Sequence, residues 1–199
     1  MGETIFALSS GRGVAGVAVV RVSGTGVRGL LKRLCGTVPP ERRASLLSIR
    51  EPEDGELIDR GLCLFFAGPR SFTGEDMAEF HVHGGRVVAR GLLAVLSKLE
   101  GMRLAEAGEF TRRAFVNGKL DLLEVEALSD VLAAETEAQL RLAQRLASGV
   151  LSERIESWRK GLLSAAALLE ALIDFSDEAD VEARASRNGV KWVGAIARE

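Results

Sequence analysis

Residues 9–24 read SSGRGVAGVAVVRVSG, and this stretch decides which kind of α/β fold the chain can form. Gly11, Gly13 and Gly16 have the G-x-G-x-x-G spacing of a dinucleotide-binding turn, and a predicted strand over 4–8 precedes them. In a dinucleotide-binding fold this turn must open a helix, because the helix N-terminus holds the pyrophosphate. Here the turn leads into valines and alanines, which favour a strand. We therefore predict a loop between two strands, without a nucleotide role.

The remainder of the first 119 residues consists of short apolar runs separated by turn signals. The patterns predict strands over 14–22, 57–58, 62–66 and 77–83, and helices over 27–34, 86–99 and 109–117. Because strands and helices follow one another without regular alternation, the sequence predicts an α+β fold.

The chain changes character near residue 120. Asp121 and Glu124 have the spacing of a capping box, in a variant that begins with aspartate. From Leu122 to about Ile173 there is no proline, and apolar residues recur mostly at steps of three or four. This pattern predicts one long amphipathic α-helix, which needs a helical partner in a hairpin or bundle. We expect a domain boundary at about residue 119.

The composition limits the possible classes of protein. Hydrophobic residues make up 47% of the chain, which is enough for a packed core, and 26 basic residues balance 28 acidic ones, so no bulk charge requires a nucleic-acid partner. Cys35 and Cys63 lack metal-ligand spacing and indicate a reducing compartment. Neither a signal peptide nor a membrane span is recognisable, so we expect a cytoplasmic protein without membrane contact.

Two features of the first part suggest a binding site. Arg21 is a single cation in a valine-rich strand, and it requires a partner because burying an unpaired charge is costly. Strand alternation places Glu79, His81 and His83 on one face, and a carboxylate that faces a pocket can accept paired N–H donors from a heterocycle. The alternative for the acidic segment 71–79 is a solvated loop that caps the strand.

Two further patterns permit more than one interpretation. His81 and His83 could begin a metal site, but no third ligand is identifiable, and the alternative is a hydrogen-bonded or partly exposed pair. Arg112, Arg113 and Lys119 could hold an anion or form a solvated basic face. We assign no metal ligand and no catalytic residue from these patterns.

Four stretches together resemble the bacterial tRNA modification GTPase family MnmE, also called TrmE. They are FALSSGRGVAGVAVVRVSG, GPRSFTGEDMAEFHVHGG, GEFTRRAFVNGKLDLLEVEALSDVLAAETEAQ and IDFSDE, and the similarity runs in order over about residues 3–180. The resemblance implies a folate-binding and dimerisation domain, similar to the tetrahydrofolate domain of glycine-cleavage T proteins, over 1–119. It further implies a partial helical domain over 120–180 and a divergent tail over 181–199.

The resemblance also implies a function. With the flavoprotein MnmG (GidA), members of this family use the methylene-tetrahydrofolate carbon to modify C5 of the wobble uridine, U34, of certain tRNAs. The family's folate contacts fall on Arg21, Glu79 and Lys119 of this sequence. We therefore expect a homodimer through the N-terminal domain that binds 5-formyl- or methylene-tetrahydrofolate, with Glu79 accepting from the pterin and the two cations donating to polar or anionic parts of the folate.

Departures from the family pattern limit these expectations. The sequence has no G-x-x-x-x-G-K-[ST], no N-K-x-D and no C-terminal cysteine motif, so GTP, magnesium and potassium belong to the full-length family only and this chain is not expected to hydrolyse GTP. Leu162, Leu169 and Ile173 would be partly exposed, which predicts self-association or poor solubility. Two alternatives remain: a non-catalytic dimerisation or interaction module left by truncation, and an aminomethyltransferase-like enzyme that acts alone on a bound folate.

Overall fold

The computed structural model describes residues 3–11 and 13–174. The chain divides into two compact units, Met1–Leu120 and Asp121–Glu199. The first unit contains a mixed β-sheet with helices, and the second is helical over its described part.

A six-stranded sheet forms the centre of the first unit. Its strands are β1 (Thr4–Leu8), β2 (Val17–Ser23), β3 (Ser45–Arg50), β4 (Leu57–Phe66), β5 (Met77–His83) and β6 (Met102–Leu104). They lie in the order β3-β4-β5-β2-β1-β6. Neighbouring strands run antiparallel except β6, which pairs parallel to β1.

Two helices cover one face of this sheet. They are α1 (Val27–Cys35) and α2 (Arg86–Lys98), and their buried side chains pack with Phe6, Val20 and Phe80 of the central strands. Burial of these apolar side chains is the main stabilising contribution to the unit. A third helix, α3 (Glu109–Val116), follows β6.

The opposite sheet face carries the polar side chains of interest. Arg21 of β2 lies directly opposite Glu79 of β5, and Val19 lies opposite His81. Residues directly opposite one another on neighbouring antiparallel strands have their side chains on the same face of the sheet, and successive side chains along a strand point to opposite faces. Arg21, Glu79 and His81 therefore point away from the face that α1 and α2 cover, as strand alternation predicts.

Most of the predicted elements of this unit are confirmed. The α+β class is confirmed, and the glycine-rich segment connects β1 to β2, so no helix begins after it. The predicted pieces 57–58 and 62–66 form one continuous strand, β4. The strands β3 and β6 are additions that the sequence patterns did not predict.

The expected helical structure after residue 120 is confirmed, but the prediction that its apolar stripe lies on one long helix is wrong. Three helices occupy this region: α4 (Leu122–Ala133), α5 (Glu137–Ala147) and α6 (Val150–Asp174). The chain leaves the helical conformation at Ala134, which is extended, and Thr136 forms a capping box with Gln139 that starts α5. Gly149 has a φ of 75° between α5 and α6, a left-handed conformation that ends a helix.

The predicted capping box at the start of α4 is confirmed. The Asp121 side chain accepts from the Glu124 backbone N–H at 2.9 Å, and the Glu124 carboxylate accepts from the Asp121 backbone N–H at 2.8 Å. Leu162 and Leu169 of α6 are exposed, as expected, with 56% and 61% of their surface accessible. The side chain of Ile173 and the tail over 181–199 lie outside the described residues.

Candidate functional site

A salt bridge joins the two central strands of the sheet on its second face. The Arg21 Nε and one terminal nitrogen donate to the same oxygen of Glu79, Oε1, at 3.0 and 2.8 Å. The Arg21 side chain is 30% exposed and that of Glu79 15% exposed. The partner that the sequence requires for Arg21 is therefore Glu79, 58 residues further along the chain.

The second oxygen of Glu79 contacts His81. The His81 Nε2 lies 3.2 Å from Glu79 Oε2, and both side chains project from β5 on the same face. His83 contacts Asp59 instead, with its Nδ1 2.9 Å from Oδ1 and its backbone N–H donating to Oδ2 at 2.7 Å. The hydrogen-bonded alternative for the two histidines is confirmed.

Hydrogen bonds from His83 also affect Asp59. Burial alone would raise the pKa of Asp59, but the hydrogen bonds and charge of His83, together with the Arg60 backbone N–H, outweigh this effect, so the pKa lies below its usual value. In the described part of the chain, no three His, Cys, Asp or Glu residues are grouped so that they could hold a metal ion.

Two aromatic rings lie close to the Arg21 guanidinium. Its central carbon is 5.7 Å from the centre of the Phe72 ring and 5.8 Å from that of Phe110. Both distances are within the range of cation–π attraction. Phe72 comes from the loop before β5 and Phe110 from the first turn of α3, so these two segments bring aromatic surface to the salt bridge.

A buried hydrogen-bond network holds the loop that carries Phe72. The Ser23 hydroxyl lies 2.6 Å from the Thr73 hydroxyl and donates to Glu75 Oε2 at 2.7 Å. Arg113 of α3 donates to the same Glu75 oxygen at 3.0 Å. Because these contacts link β2, the loop and α3, they fix the positions of the segments that surround Arg21.

The network continues into a second carboxylate, Glu109, whose side chain is 2% exposed. Arg103 donates to both of its oxygens, at 2.8 and 2.6 Å, and Arg113 donates to Oε1 at 3.1 Å. Hydrogen bonds from Arg103 lower the pKa of Glu109 to about 2. Burial opposes this effect, whereas hydrogen bonds from the Glu106 backbone N–H and from Arg113 add to it.

This arrangement corrects the interpretation of the basic segment. Arg113 is only 16% exposed and is paired with Glu75 and Glu109, and Arg112 donates to Glu106 at 3.0 Å. Arg113 is therefore not available for an external anion, whereas the side chain of Arg112 is 60% exposed and pairs with Glu106 at the surface. The sequence pattern could not show this difference, because it does not indicate which carboxylates fold against α3. Arg113 links the loop before β5 to the start of α3.

Lys119 lies at the edge of the same loop. A Cβ added to Gly74 would come within 3.2 Å of the Lys119 Cγ and 3.1 Å of the Asn117 Cβ, and Gly74 has a φ of 78°. The Asn117 side-chain amide donates to the Thr73 carbonyl at 2.6 Å. The lysine stem thus packs beside the loop that carries Phe72, while the residue as a whole is exposed.

The structure therefore joins Arg21 and Glu79 directly and brings Lys119 against their neighbouring loop. The sequence interpretation missed His81 as a contact of Glu79, the two phenylalanines beside Arg21, and the Ser23–Thr73–Glu75 network. One signal was available: Phe72, Thr73 and Glu75 all belong to the motif FTGED, directly before β5.

Models of known protein families match both parts of the chain. A family model described as "GTP-binding protein TrmE N-terminus" matches residues 4–119, and one described as "MnmE helical domain" matches residues 122–196. The second match extends past the stretches quoted above.

No helix in the described part of the chain has the length and hydropathy required to cross a membrane.

Curated relatives named "tRNA modification GTPase MnmE" match nearly the whole chain. The protein of Beijerinckia indica is 58% identical over 185 residues, which is 93% of this chain and 41% of the relative. The protein of Brucella canis is 52% identical over 197 residues, 99% of this chain and 44% of the relative. The protein of Azorhizobium caulinodans is 58% identical over 179 residues, 90% of this chain and 41% of the relative.

Proposed function

The chain belongs to the MnmE (TrmE) family of tRNA modification GTPases, and on this premise we propose that it binds a tetrahydrofolate one-carbon donor used to modify C5 of U34. The chain spans less than half the length of the curated relatives it matches, 41% in one and 44% in another. Its proposed contribution is the folate site and a homodimer contact in the cytoplasm, while GTP hydrolysis depends on motifs that this sequence does not contain.

The observation that carries this proposal is the Glu79 carboxylate held between Arg21 and His81. A carboxylate has about four acceptor sites. Arg21 uses two of these on Oε1 and His81 uses one on Oε2, so, among contacts with the described residues, one site on Oε2 remains for a ligand N–H. For a pterin to donate to both oxygens, Arg21 would have to give up one of its two contacts with Oε1, and its freed N–H could then donate to the ligand.

The surrounding residues suit the remaining parts of a folate. Phe72 and Phe110 offer flat apolar surfaces to a planar heterocycle. Lys119 carries an ammonium group on a flexible, exposed stem at the edge of the loop, and it suits the carboxylates of the folate tail. A bound tetrahydrofolate supplies the one-carbon unit, and these residues bind and orient it.

The proposal of a homodimer is supported by exposed apolar residues on the second face of the sheet. Val17 and Leu62 lie on this face, which α1 and α2 do not cover, and they are 54% and 41% exposed. A second copy would remove this apolar surface from water. The flavoprotein MnmG and a tRNA substrate are proposed partners on the basis of family membership.

The folate proposal is tested by titrating the purified chain with 5-formyltetrahydrofolate in a calorimeter. Binding is expected for the unmodified chain, and Glu79→Gln should weaken it roughly 10- to 100-fold, because a charged acceptor is replaced by an amide of the same shape. Glu126→Gln, in an exposed position of α4, is the matched control and should bind as the unmodified chain does.

A folded, unmodified chain that gives no heat at high micromolar 5-formyltetrahydrofolate would refute the proposal. Equal affinity of the unmodified chain and Glu79→Gln would show that binding occurs elsewhere. Circular dichroism of each variant separates loss of binding from loss of folding.

A second candidate function is a non-catalytic interaction module. Leu132 of α4, Leu142 of α5 and Leu163 of α6 are 81%, 61% and 54% exposed, which is unusual for helices that complete their own packing. In this alternative, association depends on the helical unit, whereas the folate proposal assigns it to the first unit.

A further inference from the structure

The two cysteines of the chain lie side by side, away from the proposed folate site. The Sγ atoms of Cys35 and Cys63 are 3.8 Å apart. Cys35 is the last residue of α1, and Cys63 lies in β4 on the face that α1 and α2 cover. A disulfide requires the sulfurs to approach to about 2 Å, so its formation would bring these two atoms closer together.

The two thiols differ in their access to solvent. Cys63 is fully buried, whereas Cys35 is partly exposed. A hydrogen bond from the Cys63 thiol lowers the pKa of Cys35, and the same contact together with burial raises the pKa of Cys63. Cys35 is therefore the thiol that ionises first, and the thiolate is the nucleophile in exchange with disulfides.

A surface cavity of about 540 Å³ opens onto Cys35. Arg33 and Arg50 are part of its lining and are exposed, and Ser48 adds a hydroxyl. Glu51 also lines it, but its carboxylate accepts from Lys98 at 3.0 Å and is thereby partly neutralised. The space beside Cys35 thus has the volume of a site for a small peptide-like ligand, and its cationic rim suits an anionic ligand.

We propose that Cys35 and Cys63 are a thiol–disulfide exchange site that reacts with anionic low-molecular-weight disulfides of the glutathione class through this cavity. The Cys35 thiolate attacks one sulfur of the disulfide, the sulfur–sulfur bond breaks, and the leaving thiolate takes the electron pair and a proton from water. Cys63 then loses its proton and attacks Cys35, and the second small thiolate leaves. The protein loses two protons and two electrons, and the small disulfide is reduced to two thiols.

The test exposes the full chain to oxidised glutathione, followed by alkylation of free thiols and intact-mass measurement. The unmodified chain is expected to lose two hydrogens and to accept no alkylating group. Cys63→Ala should accumulate a glutathione mixed disulfide at Cys35, because the resolving thiol is absent. Cys35→Ala should keep a free, slowly reacting thiol at Cys63.

The role of the cavity is tested with small disulfides of different charge. Oxidised glutathione should react several-fold faster than cationic cystamine, and the double variant Arg33→Ala/Arg50→Ala should remove this preference without changing the rate of neutral hydroxyethyl disulfide. Equal rates for the two charged reagents on the unmodified chain would overturn the cavity assignment.

The thiol–disulfide exchange can be tested separately from the role of the cavity. An unmodified chain that keeps both thiols in oxidised glutathione, under conditions that oxidise the same chain in urea, would overturn the proposal without any variant. Equal rates for Cys35→Ala and Cys63→Ala, both folded by circular dichroism, would also overturn it.

Discussion

Glu109 illustrates how a single buried carboxylate organises the surroundings of the proposed site. It is the first residue of α3, and it binds Arg103 of β6 and Arg113 of the same helix. Arg113 in turn holds Glu75 in the loop before β5. A residue that is not itself a proposed folate contact therefore determines where Phe110 and the loop residue Phe72 lie.

Replacement of Glu109 is expected to destabilise the first unit. Glu109→Gln should lower the free energy of unfolding by about 2 kcal/mol, because two guanidinium groups lose charge-assisted hydrogen bonds to a side chain that is 2% exposed. Urea unfolding at neutral pH, followed by circular dichroism, measures the change. Glu106→Gln, which removes a 68% exposed partner of Arg112, is the control and should change stability by less than about 0.5 kcal/mol. Equal losses in the two variants would contradict this interpretation.

The same carboxylate predicts a pH dependence. Its pKa in the folded chain is about 2, against an ordinary value of 4.5, so the folded state binds fewer protons and its stabilisation is complete above about pH 4.5. This contribution is lost as the pH falls through 2. The difference in stability between the unmodified chain and Glu109→Gln should therefore shrink between pH 4.5 and 2 when urea unfolding is measured at several pH values. A difference that does not change with pH in this window would show that charge is not the cause.

For single residues, the sequence shows that a charged side chain requires a partner, but it does not show which residue that partner is. A lone arginine in a valine-rich strand requires a counter-charge, and the structure supplies Glu79. The partner of Arg113 could not be predicted, because Glu75 is 38 residues away and only the folded loop brings it to α3. Side-chain pairing across such separations depends on the topology and not on local patterns.

Among the elements, those with a strong local pattern were predicted and those that depend on distant pairing were not. The three-residue strand β6 exists because it pairs parallel to β1, almost one hundred residues earlier in the chain. The apolar periodicity after residue 120 was correctly interpreted as helical, but the breaks between α4, α5 and α6 depend on Thr136 and Gly149. The motif Thr136-Glu137-Ala138-Gln139 is a helix start that interrupts a continuous apolar pattern.

The capping box of α4 gives a prediction for an element. Asp121→Ala should lower the free energy of unfolding of the helical unit by about 1 kcal/mol, because the Glu124 N–H loses its acceptor. Asp121→Asn keeps a side-chain oxygen at the cap and should change stability by only a few tenths of a kcal/mol. Thermal unfolding followed by far-ultraviolet circular dichroism compares the two. An asparagine variant as unstable as the alanine variant would mean that the charge, and not the hydrogen bond, is responsible.

Across the whole molecule, the two units bury very different side chains. The core of the first unit contains large residues such as Phe6, Phe80 and Leu96. Among the described residues of α4, α5 and α6, the buried apolar side chains are three alanines, Ala127, Ala143 and Ala165. Because large apolar side chains contribute most to burial, the first unit has the composition of an independently stable domain.

This difference leads to a prediction for a shortened chain. A chain that ends at Leu120 should unfold cooperatively on heating, because every residue of the core cluster precedes that point. If the first unit makes the proposed homodimer contact, light scattering on the shortened chain should give twice the mass of one copy, as for the full chain. If the shortened chain is a folded monomer while the full chain is a dimer, the helical unit is responsible for association. This result would favour the interaction-module alternative. Calorimetry with 5-formyltetrahydrofolate on the same shortened chain then shows whether Arg21, Glu79 and Lys119 suffice for binding when the helical unit is absent.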